Sequence, residues 1–158
     1  MSQYLCVYVR VNDKFAPIGT YSRSNVIYRA FSNEIPYEKI RAVRPTDLER
    51  VMRHLHEKLN DYVKDLGDTA NDIEMIMNAA NTPLTEKLDA IAGYQQATKE
   101  IEDEIEEVKY AMGIISTYQD MIDAYHYSEA EEQFENDYFH YLYAGIEAYG
   151  SMENVVED

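Results

Sequence analysis

At 158 residues, 46% of them hydrophobic, the chain is long enough to bury one real core and short enough to be a single domain. Its lone cysteine, Cys6, excludes an intrachain disulfide, and no apolar run approaches the roughly 20 residues of a membrane-spanning helix. A formal net charge of −16 disfavours nucleic acid and anionic membranes as ligands and favours a basic partner.

The unpaired cysteine and the absence of a secretory signal at the start (the first basic residue is Arg10) predict a soluble, cytoplasmic protein. Charge is unevenly spread. Residues 1–56 hold nine Lys/Arg against five Asp/Glu, residues 57–109 hold five against fourteen, and residues 110–158 hold eleven acids and no Lys or Arg. The three stretches therefore net +4, −9 and −11.

The opening residues read as strand. Leu5, Val7, Val9 and Val11 alternate with Tyr4, Cys6, Tyr8 and Arg10, which predicts one apolar face. Asn12-Asp13-Lys14 supplies a turn, and Phe15 to Tyr21 returns as a second strand that Pro17 forces to be an edge or bulged. Ser22 or Ser24 then caps a short helix to about Phe31, and a third strand is expected near Ile40 and Ala42. Residues 1–45 thus read as a small, basic α+β head.

Thr46-Asp47-Leu48-Glu49 matches a capping box. A heptad register follows: Leu48, Met52, Leu55, Leu59, Tyr62, Leu66, Thr69, Ile73, Ile76 and Ala80. Thr82-Pro83 ends this segment and starts the next. The second stripe runs Leu84, Leu88, Ile91, Tyr94, Thr98, Ile101, Ile105, Val108, Met112, Ile115, Tyr118, Ile122 and Tyr125, with a stammer between Leu88 and Tyr94. So short a link predicts that the helices at 46–80 and 83–127 fold back as an antiparallel coiled-coil hairpin. Ser128 to Glu131 is a second capping box, predicting an acidic, Tyr-rich helix over 128–150, followed by a polar tail at 151–158. The expected fold class is mainly α, with a long helical hairpin, a shorter C-terminal helix and a small α+β head.

No constellation points to catalysis. The four histidines fall on expected helices, and the six glycines are scattered without a phosphate loop. Asp123-x-x-His126 and Asp137-x-x-His140 have a helical metal-ligand spacing, yet Asp137 and His140 lie off the apolar stripe, so no metal and no cofactor are expected. His54 and His56 point about 200° apart on a helix and read as surface residues.

Two surfaces remain. Glu102, Asp103, Glu106, Glu107, Glu131, Glu132, Glu135 and Asp137 form an acidic array, with Tyr110, Tyr127 and Tyr143 interleaved to stack on guanidinium groups. Arg10, Lys14, Ser22, Arg23, Ser24, Arg41 and Arg44 form a basic set suited to an anion. The favoured reading is a non-enzymatic inhibitor or adaptor that offers carboxylates to a basic protein surface, such as that of a nucleic-acid-binding protein. It would do so as a nucleic-acid mimic, in the manner of a phage anti-defence protein. Two alternatives stay open: a coiled-coil assembly protein that forms homodimers or larger oligomers, and an anion- or nucleotide-binding head. Direct contact with nucleic acid is expected only weakly, through that head, and no contact with membrane is expected.

Overall fold

The computed structural model of the protein describes residues 3–11, 14–34, 40–128 and 141–148. The described elements are β1 (Gln3–Val11), β2 (Lys14–Ser22), α1 (Val26–Glu34), β3 (Arg41–Ala42), α2 (Pro45–Met77), α3 (Leu84–Ser128) and β4 (Leu142–Ala148). The protein is mostly helical, with one small antiparallel sheet. No described helix is long and apolar enough to cross a membrane. The chain divides into two compact units, Met1–Leu55 with Ala111–Asp158, and His56–Tyr110.

In the first unit the strand order is β2-β1-β4-β3. Sequence alternation predicts one apolar face for β1, but every residue from Leu5 to Val9 is buried. The reason is position: β1 is flanked by β2 and β4 and covered on both faces. Cys6 and Tyr8, expected on the wet face, join Tyr143 in a small cluster backed by Tyr4, Phe15, Ile40 and Ala42. Pro17 acts as expected. Its strand is an edge, and the register slips between Val7↔Gly19 and Tyr8↔Pro17, leaving Ile18 as the extra residue of a bulge.

The helix expected over 128–150 is corrected at Leu142–Ala148, which forms β4, the second neighbour of β1. Residues 129–140 and 149–158 lie outside the described residues. A strand apolar on both faces needs a partner on each side, and this pairing buries Leu142, Tyr143 and Ala144 completely. Long-range pairing of that kind overrides local helix propensity, which is a weak prior. Gly145, opposite Cys6, allows a close approach: a Cβ there would lie 2.6 Å from the Cα and N of Ile40. The sheet is therefore not the product of residues 1–45 alone.

Both helix caps near the sheet differ from expectation. Asn25, not Ser22 or Ser24, caps α1, its Oδ1 accepting the Ile27 N–H at 2.9 Å. Here α1 continues past Phe31 to Glu34 and buries Val26, Ile27, Ala30 and Phe31. In α2 the capping box sits two residues earlier than Thr46–Glu49. Arg44 is the N-cap, Pro45 occupies the first helical position where a missing N–H costs nothing, and Asp47 Oδ2 accepts the Arg44 N–H at 3.0 Å. Asp47 is buried, with the Arg41 guanidinium 4.0 Å away.

Leu48, Val51 and Leu55 of α2 and Ala111, Ile115, Tyr118 and Ile122 of α3 complete the core of this unit. The Tyr118 hydroxyl hydrogen-bonds that of Tyr21 beside Gly19, where a Cβ would lie 2.6 Å from both oxygens. Burial, with the Tyr21 hydrogen bond adding to it, pushes the Tyr118 hydroxyl pKa well above its ordinary value. His54 is not on the surface. It is half-buried, its Nδ1 3.4 Å from Glu34 Oε1, while His56 is exposed.

The second unit contains the rest of α2, the link, and α3 as far as Tyr110. The Tyr62 hydroxyl donates to Glu104 Oε2 at 3.3 Å, and Lys87 Nζ donates to the Met77 carbonyl at 3.4 Å. Along α2 the residues Leu59, Tyr62, Leu66, Thr69, Ile73 and Ile76 are half-buried, as the register predicts. Ala80 lies past the helix end and is exposed. Leu84 and Leu88, expected on the α3 stripe, are 69% and 57% exposed. The half-buried positions are instead Lys87, Ala90, Ile91, Tyr94, Ala97, Thr98 and Ile101, so the period runs on from Tyr94 without a stammer.

Candidate functional site

The outer face of α3 in the second unit gathers the described part of the acidic array. On a helix at about 100° per residue, Ile101, Ile105 and Val108 share an arc about 60° wide, and all three are half-buried or buried. Glu102, Asp103, Glu106, Glu107 and Tyr110 share a second arc about 140° wide, centred about 160° from the first. The four carboxylates are exposed, and none makes an ion pair with another described residue. Tyr110 falls near the middle of their arc and is 73% exposed. Lys99 is the cation within it, one turn before Glu102 and Asp103. Carboxylates at i and i+4 stand about 5–6 Å apart, near the spacing of successive phosphates on a nucleic-acid strand.

The remaining members of the predicted surface do not all join this face. Glu131, Glu132, Glu135 and Asp137 lie outside the described residues, as does the side chain of Tyr127. Tyr143 is corrected: it is fully buried, its ring edge-on to Phe15 with centroids 4.9 Å apart. The cause is the strand at 142–148, which turns an expected helix-surface aromatic into part of a sheet cluster.

The predicted anion set is dispersed. Arg10 and Lys14 stand at the hairpin end of β1 and β2, where Arg10 faces Phe15. Ser22, Arg23 and Ser24 stand at the opposite end of β2. Eight residues of strand separate Lys14 from Ser22, roughly 25 Å. Arg41 pairs with Ala144 in the sheet and turns its guanidinium to Asp47, and Arg44 is the exposed cap of α2. At the start of α1 the Ile27 N–H is taken by Asn25, and the Ser22 and Ser24 hydroxyls lie 3.1 Å apart. These residues do not converge on one pocket.

Sequence reasoning missed one concavity. In the first unit Pro45, Leu48 and Glu49 of α2 face Gln119, Asp120, Ile122 and Asp123 of α3 across a cleft of about 280 Å³. Leu48 and Ile122 form a buried apolar floor, and three acids line the cleft. Glu49 was expected to cap α2; with that role held by Asp47, it lines the cleft instead. No group of three or more His, Cys, Asp or Glu able to hold a metal occurs among the described residues. No protein-family model, curated protein or solved structure matches the chain, so its function is argued from its own residues.

Proposed function

We propose that the protein is a non-enzymatic inhibitor or adaptor that presents the outer face of α3 to a basic surface on another protein. The observation that carries this reading is the exposed arc of Glu102, Asp103, Glu106 and Glu107 with Tyr110 at its middle, on the side of the helix opposite its buried stripe. A hydrogen-bonded helix fixes the intervals between those carboxylates, so little conformational entropy is lost when cations line up against them. Tyr110 adds a ring on which an Arg guanidinium can stack. A nucleic-acid-binding protein is the natural target, since its groove already carries cations at phosphate spacing; the part played would be that of a phage-type anti-defence mimic. The reading takes the second unit as an antiparallel coiled-coil hairpin, an arrangement in keeping with the Tyr62–Glu104 hydrogen bond and the half-buried register on α2.

Binding of this kind is steered by charge and weakens with salt. The test is capture of partners from the native host with the wild-type chain and with a variant carrying Glu102→Gln, Asp103→Asn, Glu106→Gln and Glu107→Gln. Partners retained at low salt by the wild type should be lost from the variant and released at high salt. A partner held equally by both chains, at either salt, rejects the proposal. Sedimentation of the purified protein tests the assembly alternative, which calls for a stable dimer or larger species that persists at high salt.

A further inference from the structure

The outer face of α3 extends beyond its acids. Taking Ile91 as the origin and about 100° per residue, Leu84 and Leu88 fall near 20° and 60°, within the same arc as Glu102, Glu106 and Tyr110. Both leucines are more than half exposed, as is Tyr110. One face of one helix therefore carries an apolar pair, then a stretch bearing the acids, then an exposed aromatic ring. Leu84 to Tyr110 spans about 39 Å. Large apolar side chains held in water at both ends of a charged stripe mark an interaction surface more than a solvated one.

We propose that this stripe docks a basic amphipathic helix of a partner protein, with Leu84/Leu88 and Tyr110 as apolar anchors flanking the carboxylates. Charge selects the occupant. A second copy laid antiparallel along the stripe would set acids against acids, and like charges juxtaposed across an interface are costly. A helix with lysines or arginines in its middle third and apolar residues at both ends matches the stripe in sign and in spacing. This inference rests on the acidic-face reading and adds the anchors to it: a partner that only imitated the receptor of a phosphate backbone would have no use for Leu84 and Leu88.

The probes are two synthetic helical peptides of about 28 residues (at about 1.5 Å rise, long enough to cover the stripe). Both carry lysines along the central face; one has leucine pairs at each end and the other has serine in their place. Affinities come from fluorescence anisotropy, and amide chemical shifts locate the contact. The leucine-ended peptide should bind at least tenfold more tightly than the serine-ended one, and that advantage should vanish with Leu84→Ser and Leu88→Ser while helicity is unchanged. Equal binding of the two peptides overturns the anchors and leaves the acidic reading standing. Failure of both to bind removes the acidic reading as well. A dimer of the free protein that L84S/L88S dissolves would assign the stripe to a second copy and overturn the choice of occupant.

Discussion

A methyl group at Gly145 tests the packing of the sheet most sharply. The added Cβ would meet Ile40 Cα, N and Cγ1 at 2.6 Å, so the segment leading into β3 must retreat by close to an ångström. Two of those three atoms are backbone, and moving them disturbs the Arg41↔Ala144 pairing next in line. Overpacking of this sort costs about 1–3 kcal/mol, against a gain of about 0.5–1 kcal/mol from replacing Gly by Ala in a strand. The net is a loss of about 1–2 kcal/mol, and in a protein of this size each kcal/mol moves Tm by about 2–4 °C. Gly145→Ala should therefore lower Tm by about 2–8 °C in a thermal melt followed by circular dichroism. Gly113→Ala is the control in the same unit. Nothing lies within 4 Å of its new methyl in the middle of α3, and helix propensity favours Ala by about 1 kcal/mol, so Tm should rise by about 2–4 °C. If both substitutions raise Tm, Ile40 does not lie against Gly145 as described.

Three further substitutions probe other contacts. Asp47→Ala should cost about 1–2 kcal/mol in urea unfolding because it removes the acceptor for the Arg44 N–H, whereas exposed Thr46→Ala should stay within about 0.5 kcal/mol; the reverse order would restore the cap to Thr46. Tyr118 keeps its proton in the fold to a higher pH than in the unfolded chain, so stability is intact below about pH 10 and declines above it, by at most about 1.4 kcal/mol per pH unit. Tyr118→Phe should flatten that alkaline decline while costing about 1 kcal/mol at neutral pH through the lost Tyr21 hydrogen bond; an unchanged alkaline profile would discard this account. Leu88→Gln should leave stability within about 0.5 kcal/mol, while Ile101→Ala costs about 2 kcal/mol, since only Ile101 lies on the half-buried side of α3. Equal losses would put Leu88 back on the stripe.

What could be read from the residues depended on how local the deciding forces were. The long helices announced themselves, because a half-buried stripe repeats at fixed spacing within one segment; Tyr62, Leu66 and Ile73 sit where the register put them. Pro17 was equally legible, since a missing N–H constrains its own strand and nothing remote. The errors share the opposite cause. Tyr8 and Cys6 looked solvent-facing until β4 supplied a second flank to their strand, and nothing near residue 8 in sequence announces that Tyr143 lies across from it. Asn25 and Asp47 displaced the serines and Thr46 as caps because cap choice turns on single hydrogen bonds, and several neighbouring residues could have made them. The acidic face was readable as composition. Its apolar ends were not, because Leu84 and Leu88 fit the seam in one dimension and leave it only when angle is counted.

The partnership of β1 with β4 also sets an order of events during synthesis. Leu5 waits for Ile146, some 140 positions further on, before its second flank exists. A nascent chain would carry the paired β1–β2 ribbon with one apolar margin open while both long helices are made, a period in which misassociation is a hazard. Closing so wide a loop is entropically slow, so refolding of the sheet should lag behind the appearance of helix. Removal of 142–148 would then leave the helices able to form but their sheet unfinished.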